Sequence, residues 1–218
     1  MRLIISIVGK SDSGKTTLLE SLIGELKRRG HRVAIVKHSH HADDLDSAHK
    51  DTWRFTRAGS EFSAINSLDH LAIYRRMDHY FDPEEIANFI LWDYDVILTE
   101  GFKGSSYPKI EVHRGDQGKD LLTDPQQLLG VVTDEPLEVK APQFSHDDIH
   151  GIADLIEKAI VSRQEANEVD LVVNGAYVPL SASTKDLLAR TVAAMIPTPA
   201  NNGGIGIKNL HFSLRRKA

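Results

Sequence analysis

Residues 3–17 read LIISIVGKSDSGKTT: an apolar run, then a loop of glycine, serine and aspartate, then a lysine and two threonines. The run LIISIV has the continuous β-branched character of a central parallel strand covered on both faces. From Gly9 to Thr16 the spacing is G-x-x-x-x-G-K-[ST] in full. Glycines at 9 and 14 permit backbone conformations that turn successive N–H groups inward around a phosphate. Ser11, Asp12 and Ser13 complete the loop, and a helix starting near Lys15 adds its positive dipole end. Lys15 is then placed to reach the β- and γ-phosphate oxygens, the Thr16 hydroxyl to ligate Mg²⁺, and Thr17 to contact the α-phosphate. A buried strand before the motif and an amphipathic helix after it are the context in which this loop holds a nucleoside triphosphate.

The helix follows as KTTLLESLIGELKRRG, with Leu18, Leu19, Leu22, Ile23 and Leu26 at helical spacing and Gly30 as its stop. Beyond it, strand and helix patterns alternate. RVAIVK (32–37) is a second strand, SAIN and LAIYRR are two strands around the turn SLDH, and DPEEIANFIL starts a helix with Asp82 as cap and Pro83 in the first turn. DVILTEG (95–101), KIEVHR and LLGVVTD are further strands, and DIHGIADLIEKAI closes the unit with a helix. Such alternation predicts an α/β fold of the P-loop NTPase type, a mostly parallel sheet flanked by helices, with ligands at the carboxyl ends of the strands. Residues 1–162 form this nucleotide-binding domain and 163–169 a polar linker. Residues 170–218 are a small ββαβ extension, marked by the hairpin signal LVVNGAYVPL, a helix TKDLLARTVAAMI and an edge-like LHFSLRR. About fifty residues are marginal as a free-standing domain, so the extension is expected to pack on the main body or on a second subunit.

Composition narrows the function classes. With 218 residues, 41% hydrophobic and 26% charged, the chain has the balance of a globular protein with a real core. A net charge of -5 argues against non-specific nucleic-acid binding, which needs a basic surface. Zero cysteines exclude disulfides, thiolate zinc sites and cysteine nucleophiles. The apolar start is too short for a membrane span, so no membrane association is expected and the cytoplasm is the default location.

Three further places carry candidate chemistry. The strand VILTEG ends in Glu100, where P-loop proteins keep an acid beside the loop; it can hold Mg²⁺ through water or orient an attacking water. VVTD ends in Asp134, where a carboxylate could accept the adjacent N–H donors of guanine, or serve as a plain turn residue. HSHHADDLDSAHKD gathers His38, His40, His41 and His49 with Asp43, Asp44, Asp46 and Asp51 at the ligand edge. Three readings fit it: a transition-metal site, a switch-like loop in which Asp46 or Asp51 answers to magnesium, and a polar surface loop. Trp53 and Phe55 are expected on the core face of the short helix that follows.

Taken together, these blocks resemble the molybdopterin-guanine dinucleotide biosynthesis protein B (MobB) family. The carrying segments are GKSDSGKTTLLESLIGELKRRGHRVAIVKHSHH, HKDTWRFTRAGS and LTEGFKGSSYPKIEVHR, and the resemblance runs from the start to about residue 160. It implies a dimeric GTP-binding protein with weak hydrolysis in molybdenum-cofactor maturation. Such a protein works beside the guanylyltransferase that joins GMP to molybdopterin, delivering GTP or presenting product. On that view Lys15 and Thr16 carry phosphate and Mg²⁺, Glu100 supports the metal with Asp46 as a further candidate, and Lys103, Lys109 and Arg114 offer positive charge to a phosphate or pterin-side anion. Two departures stand out: His49 replaces a usual glycine, and the tail from Leu171 lies outside the minimal family unit. The alternatives are a P-loop small-molecule kinase, a metal-delivery GTPase and a pure nucleotide-binding module; no arginine-rich lid supports the first, and no [NT]-K-x-D the second.

Overall fold

The computed structural model describes residues 3–39, 51–77, 79–83, 85–86, 94–118, 120–164, 171–173, 176–178 and 180–195. Strand β1 (Ile4–Gly9) is buried along its whole length, as the uninterrupted apolar run requires. It feeds the loop, and helix α1 (Lys15–Arg28) returns along the sheet, followed by β2 (Val33–Lys37). Next come α2 (Asp51–Arg57), the hairpin strands β3 (Phe62–Asn66) and β4 (Leu71–Arg75), then β5 (Val96–Glu100), β6 (Lys109–Val112), β7 (Leu128–Val132) and β8 (Gln143–Phe144). Helix α3 (Ile149–Gln164) completes the domain. The sheet order is β2-β5-β1-β6-β7-β8, and every pairing in it is parallel. All six carboxyl ends therefore border one rim, as predicted for the site.

Period-two alternation along β1 divides the core between the two faces. Leu3, Ile5 and Ile7 join Leu18, Leu19, Leu22 and Leu26 of α1 and Ile152, Ile156 and Ile160 of α3 in one buried cluster. Ile4 faces Ala34, Val36, Ile97 and Phe102 on the other side, with Ile86 and Tyr107 against them. Each leucine taken from full exposure into such a core stabilises the fold by roughly 1.5–3 kcal/mol. One polar pair interrupts the second face: Thr99 donates to the Ser6 hydroxyl at 2.9 Å, so neither buried hydroxyl lacks a partner. Helix α1 ends on Gly30 at φ 90°, with Gly30 N–H donating to Lys27 O and His31 N–H to Leu26 O, the Schellman arrangement that a glycine stop predicts. Asp82 and Glu85 exchange a capping box, Glu85 N–H to the Asp82 carboxylate and Asp82 N–H to the Glu85 carboxylate. Asp148 caps α3 through the Gly151 N–H at 2.9 Å.

In the extension, β9 (Leu171–Val173) pairs antiparallel with β10 (Ala176–Val178), and α4 (Ala182–Met195) follows with Ser181 as its cap. These are the expected hairpin and helix; the expected edge strand LHFSLRR lies outside the described residues. Helix α3 runs to Gln164, two residues into the segment expected to be linker. Strand β8, with two residues, was not expected at all.

Candidate functional site

The loop between β1 and α1 has the geometry its glycines call for. Gly14 caps α1 at φ 94° and Asp12 sits at φ 60°. Gly9 is demanded by close approach: a Cβ there would collide with the Val112 carbonyl and lie 2.7 Å from the Ser13 hydroxyl. Ser13 is fully buried, while Ser11, Thr16 and Thr17 are exposed at the loop and the first turn. The Lys15 ammonium folds back over the loop and donates to the Lys10 carbonyl at 2.6 Å. Burial pushes its pKa down, Lys103 and Lys37 push the same way, and Glu100 and Asp12 oppose them. A half-shielded cation held in that position favours an anion beside it.

Parallel pairing sets Glu100 across from Ile7 on one side and Lys37 on the other. Its carboxylate accepts from the Thr16 hydroxyl at 3.2 Å and lies 3.9 Å from the Lys37 ammonium. The chain then turns through two left-handed residues, Gly101 at φ 95° and Phe102 at φ 55°. Phe102 is buried and packs against the His38 ring at a centroid distance of 5.0 Å, with Tyr80 5.1 Å from His38 on another side. A bulky residue held at positive φ is strained, and strain of this kind concentrates at functional sites. The strand-end acid thus stands beside the loop between β1 and α1, the position the sequence predicted for it. Lys37 beside it was not predicted, because its partner is sixty-three residues away in the chain.

On the other flank of the loop lies a cavity of about 320 Å³, lined in part by Gly14, Thr17, Arg114, His146 and Asp147. Arg114 Nε is 3.4 Å from the Ser13 carbonyl. Asp134 has a different setting from the one expected of a base reader. One of its oxygens accepts the Gly115 N–H at 2.9 Å, the other faces Arg114 at 3.8 Å, and the residue does not line the cavity. Burial, then Arg114, lower the pKa of His146, against the His113 backbone and the Asp134 and Asp147 charges.

Sequence profile and relatives agree on what this arrangement belongs to. The profile of the family described as molybdopterin guanine dinucleotide synthesis protein B matches residues 4–134, more than half of the chain. The chain belongs to the MobB family. The molybdopterin-guanine dinucleotide biosynthesis adapter protein of Haemophilus influenzae is 39% identical over 155 residues, covering 71% of this chain and 87% of that protein. The protein of the same description from Escherichia coli is 32% identical over 162 residues, covering 70% and 90%. A crystal structure of molybdopterin-guanine biosynthesis protein B superposes with TM-score 0.55 at 32% identity, over 73% of this chain and 99% of that one. A Methanocaldococcus jannaschii protein described as a putative adapter of the same kind is 24% identical over 89% of this chain, so that similarity continues into the extension.

Within the MobB frame two expectations need correcting. Lys109 is 1% exposed: its ammonium donates to the Ser105 and Tyr107 carbonyls and to Gln127 Oε1, so it ties down the preceding loop and offers no charge to a ligand. Its strand neighbour Glu111 is equally buried and accepts the Leu122 and Thr123 N–H groups at 2.8 and 2.9 Å. Phe55 is 58% exposed, and Trp53 is half-buried with the Arg57 guanidinium 5.2 Å from its ring centroid, so α2 does not bury both aromatics. Asp46, His40, His41 and His49 lie outside the described residues. Among the described residues no helix is long and apolar enough to cross a membrane.

Proposed function

We propose that this chain is an adapter of molybdopterin guanine dinucleotide synthesis that binds GTP with Mg²⁺, hydrolyses it weakly, and works beside the guanylyltransferase acting on molybdopterin. The relatives' shared description supports the pathway, and one arrangement supports the nucleotide: Lys15, Thr16 and Glu100 converging at the carboxyl edge of β1. The residues present fit Mg²⁺. A hydroxyl and a carboxylate 3.2 Å apart are hard oxygen donors, and magnesium is commonly held by one or two protein oxygens plus nucleotide phosphate. Bound there, the ion would neutralise charge on the β- and γ-phosphates. Lys15 would exchange the Lys10 carbonyl for phosphate oxygens, and Glu100, held by its backbone on both sides, would orient water at the Thr16 side.

Support for a homodimer comes from the β3–β4 hairpin. Phe62, Ala64, Leu71 and Ile73 share one face of the two strands and are all exposed, whereas Ser63 on the opposite face is buried. A two-stranded hairpin is marginal alone, and a second copy of the chain is the partner that would cover this face.

Lys15→Ala is expected to abolish Mg²⁺-dependent binding of a fluorescent GTP analogue. Glu100→Gln is expected to retain binding and lose turnover. Normal hydrolysis by Glu100→Gln would remove the acid from the reaction, and a preference for ATP would favour the kinase alternative.

A further inference from the structure

The cavity beside the phosphate loop sits where the nucleoside end of a nucleotide must go. Gly14 and Thr17 form its wall at the α1 N-terminus, so a triphosphate on the loop enters from that side with its sugar and base pointing in. Its volume of about 320 Å³ is at the lower end of the roughly 300–1,000 Å³ of small-molecule sites, room for a base and sugar and not a whole nucleotide. Two acids stand near it, and their surroundings differ. Asp134 has both oxygens engaged by Gly115 and Arg114 and lies off the lining. Asp147 lines the cavity, and among the described residues its carboxylate makes no hydrogen bond or ion pair.

Resting on the GTP reading above, we propose that Asp147, carried on the short loop after β8, is the residue that reads the base as guanine, and that Asp134 positions Arg114 against the loop. An ionised carboxylate only accepts, so it matches the adjacent N1–H and N2–H donors of guanine. Adenine presents an acceptor at N1, and a carboxylate facing it gains nothing. His146 lies beside Asp147 in the lining, and burial and Arg114 lower its pKa while the Asp147 charge acts the other way. Arg114, 3.4 Å from the Ser13 carbonyl, closes the wall between base and phosphates.

The test is nucleotide selectivity with Mg²⁺, using GTP, ATP and XTP on the full chain and on Asp147→Asn, Asp147→Ala and Asp134→Asn. Xanthine carries a carbonyl where guanine has its 2-amino group, so a carboxamide at 147 can donate to it. Asp147→Asn is expected to weaken GTP roughly 10- to 100-fold and to strengthen XTP, as loss of a charged hydrogen-bond pair implies. Asp147→Ala is expected to weaken GTP with no gain for XTP. An unchanged GTP-to-XTP ratio in Asp147→Asn, with an unchanged unfolding midpoint, would overturn the assignment; so would a switch produced by Asp134→Asn. If the unaltered chain binds all three triphosphates alike, the base assignment fails and the phosphate site stands. If it binds none, both readings fall.

Discussion

Gly9 and Lys109 show how a single residue's role depends on what approaches it. At Gly9 the neighbours are the Val112 carbonyl and the Ser13 hydroxyl, both too close for any side chain. Gly9→Ala is therefore expected to cost about 1–3 kcal/mol, the usual range for overpacking, read as a lower denaturant midpoint at unchanged slope. Lys109→Ala removes an ammonium that satisfies three acceptors, and a loss of about 1–3 kcal/mol is expected in the same measurement. GTP affinity should be nearly unchanged in Lys109→Ala; a tenfold loss would restore it as a ligand group. The first of these residues was legible in the sequence because the loop motif is local and names its glycines. The second was not: a lysine written between two apolar residues shows its charge but not its burial, and its acceptors follow no local pattern, being two carbonyls of the loop just before it and the Gln127 side chain eighteen residues on.

At the scale of elements, α1 and α3 are joined by an ion network centred on Glu25. This carboxylate is 8% exposed, accepts from Arg28, Arg29 and His150, and Arg29 continues to Asp154 and Glu157 on α3. Hydrogen bonds from Arg28 and Arg29 hold its pKa far below the ordinary value of 4.5, and the His31 and Arg29 side chains lower that of Glu157. A carboxylate whose pKa is depressed by folding adds stability above its unfolded value, and that stability is lost as pH falls below it. The denaturant midpoint is therefore expected to drop as pH goes from about 4.5 downward, and Glu25→Gln should flatten that decline; an equal slope in the variant would remove Glu25 from the network's acid response. The helices themselves were legible, since leucine spacing and Gly30 mark α1 and the pattern IADLIEKAI marks α3. The bridge between them was not, because no local period pairs residue 25 with residue 150. Strand β8 escaped for a plainer reason: two residues carry no alternation to read.

For the molecule as a whole, the proposed homodimer rests on the open face of the β3–β4 hairpin. Ile73→Asp and Phe62→Glu put charge on that face without touching the six-stranded sheet, and each is expected to shift a dimer to monomer in sedimentation velocity. A dimer of undiminished stability in both variants would place the contact elsewhere. The parallel sheet, its ligand edge and the loop were all readable beforehand, because alternating strand and helix patterns leave few topologies. The cavity at Arg114, His146 and Asp147 was not, since it exists only once β8 lies beside β7 and brings residues 146 and 147 next to residue 14.

The main chain at Glu100 is fastened twice. Gly101 N–H donates to Ile7 O at 3.1 Å, and His38 N–H donates to Glu100 O at 3.0 Å. A cation arriving there would meet an acid whose main chain is already tied to the strands on both sides, so the adjustment would fall on its other neighbour, the Thr16 hydroxyl 3.2 Å away on α1.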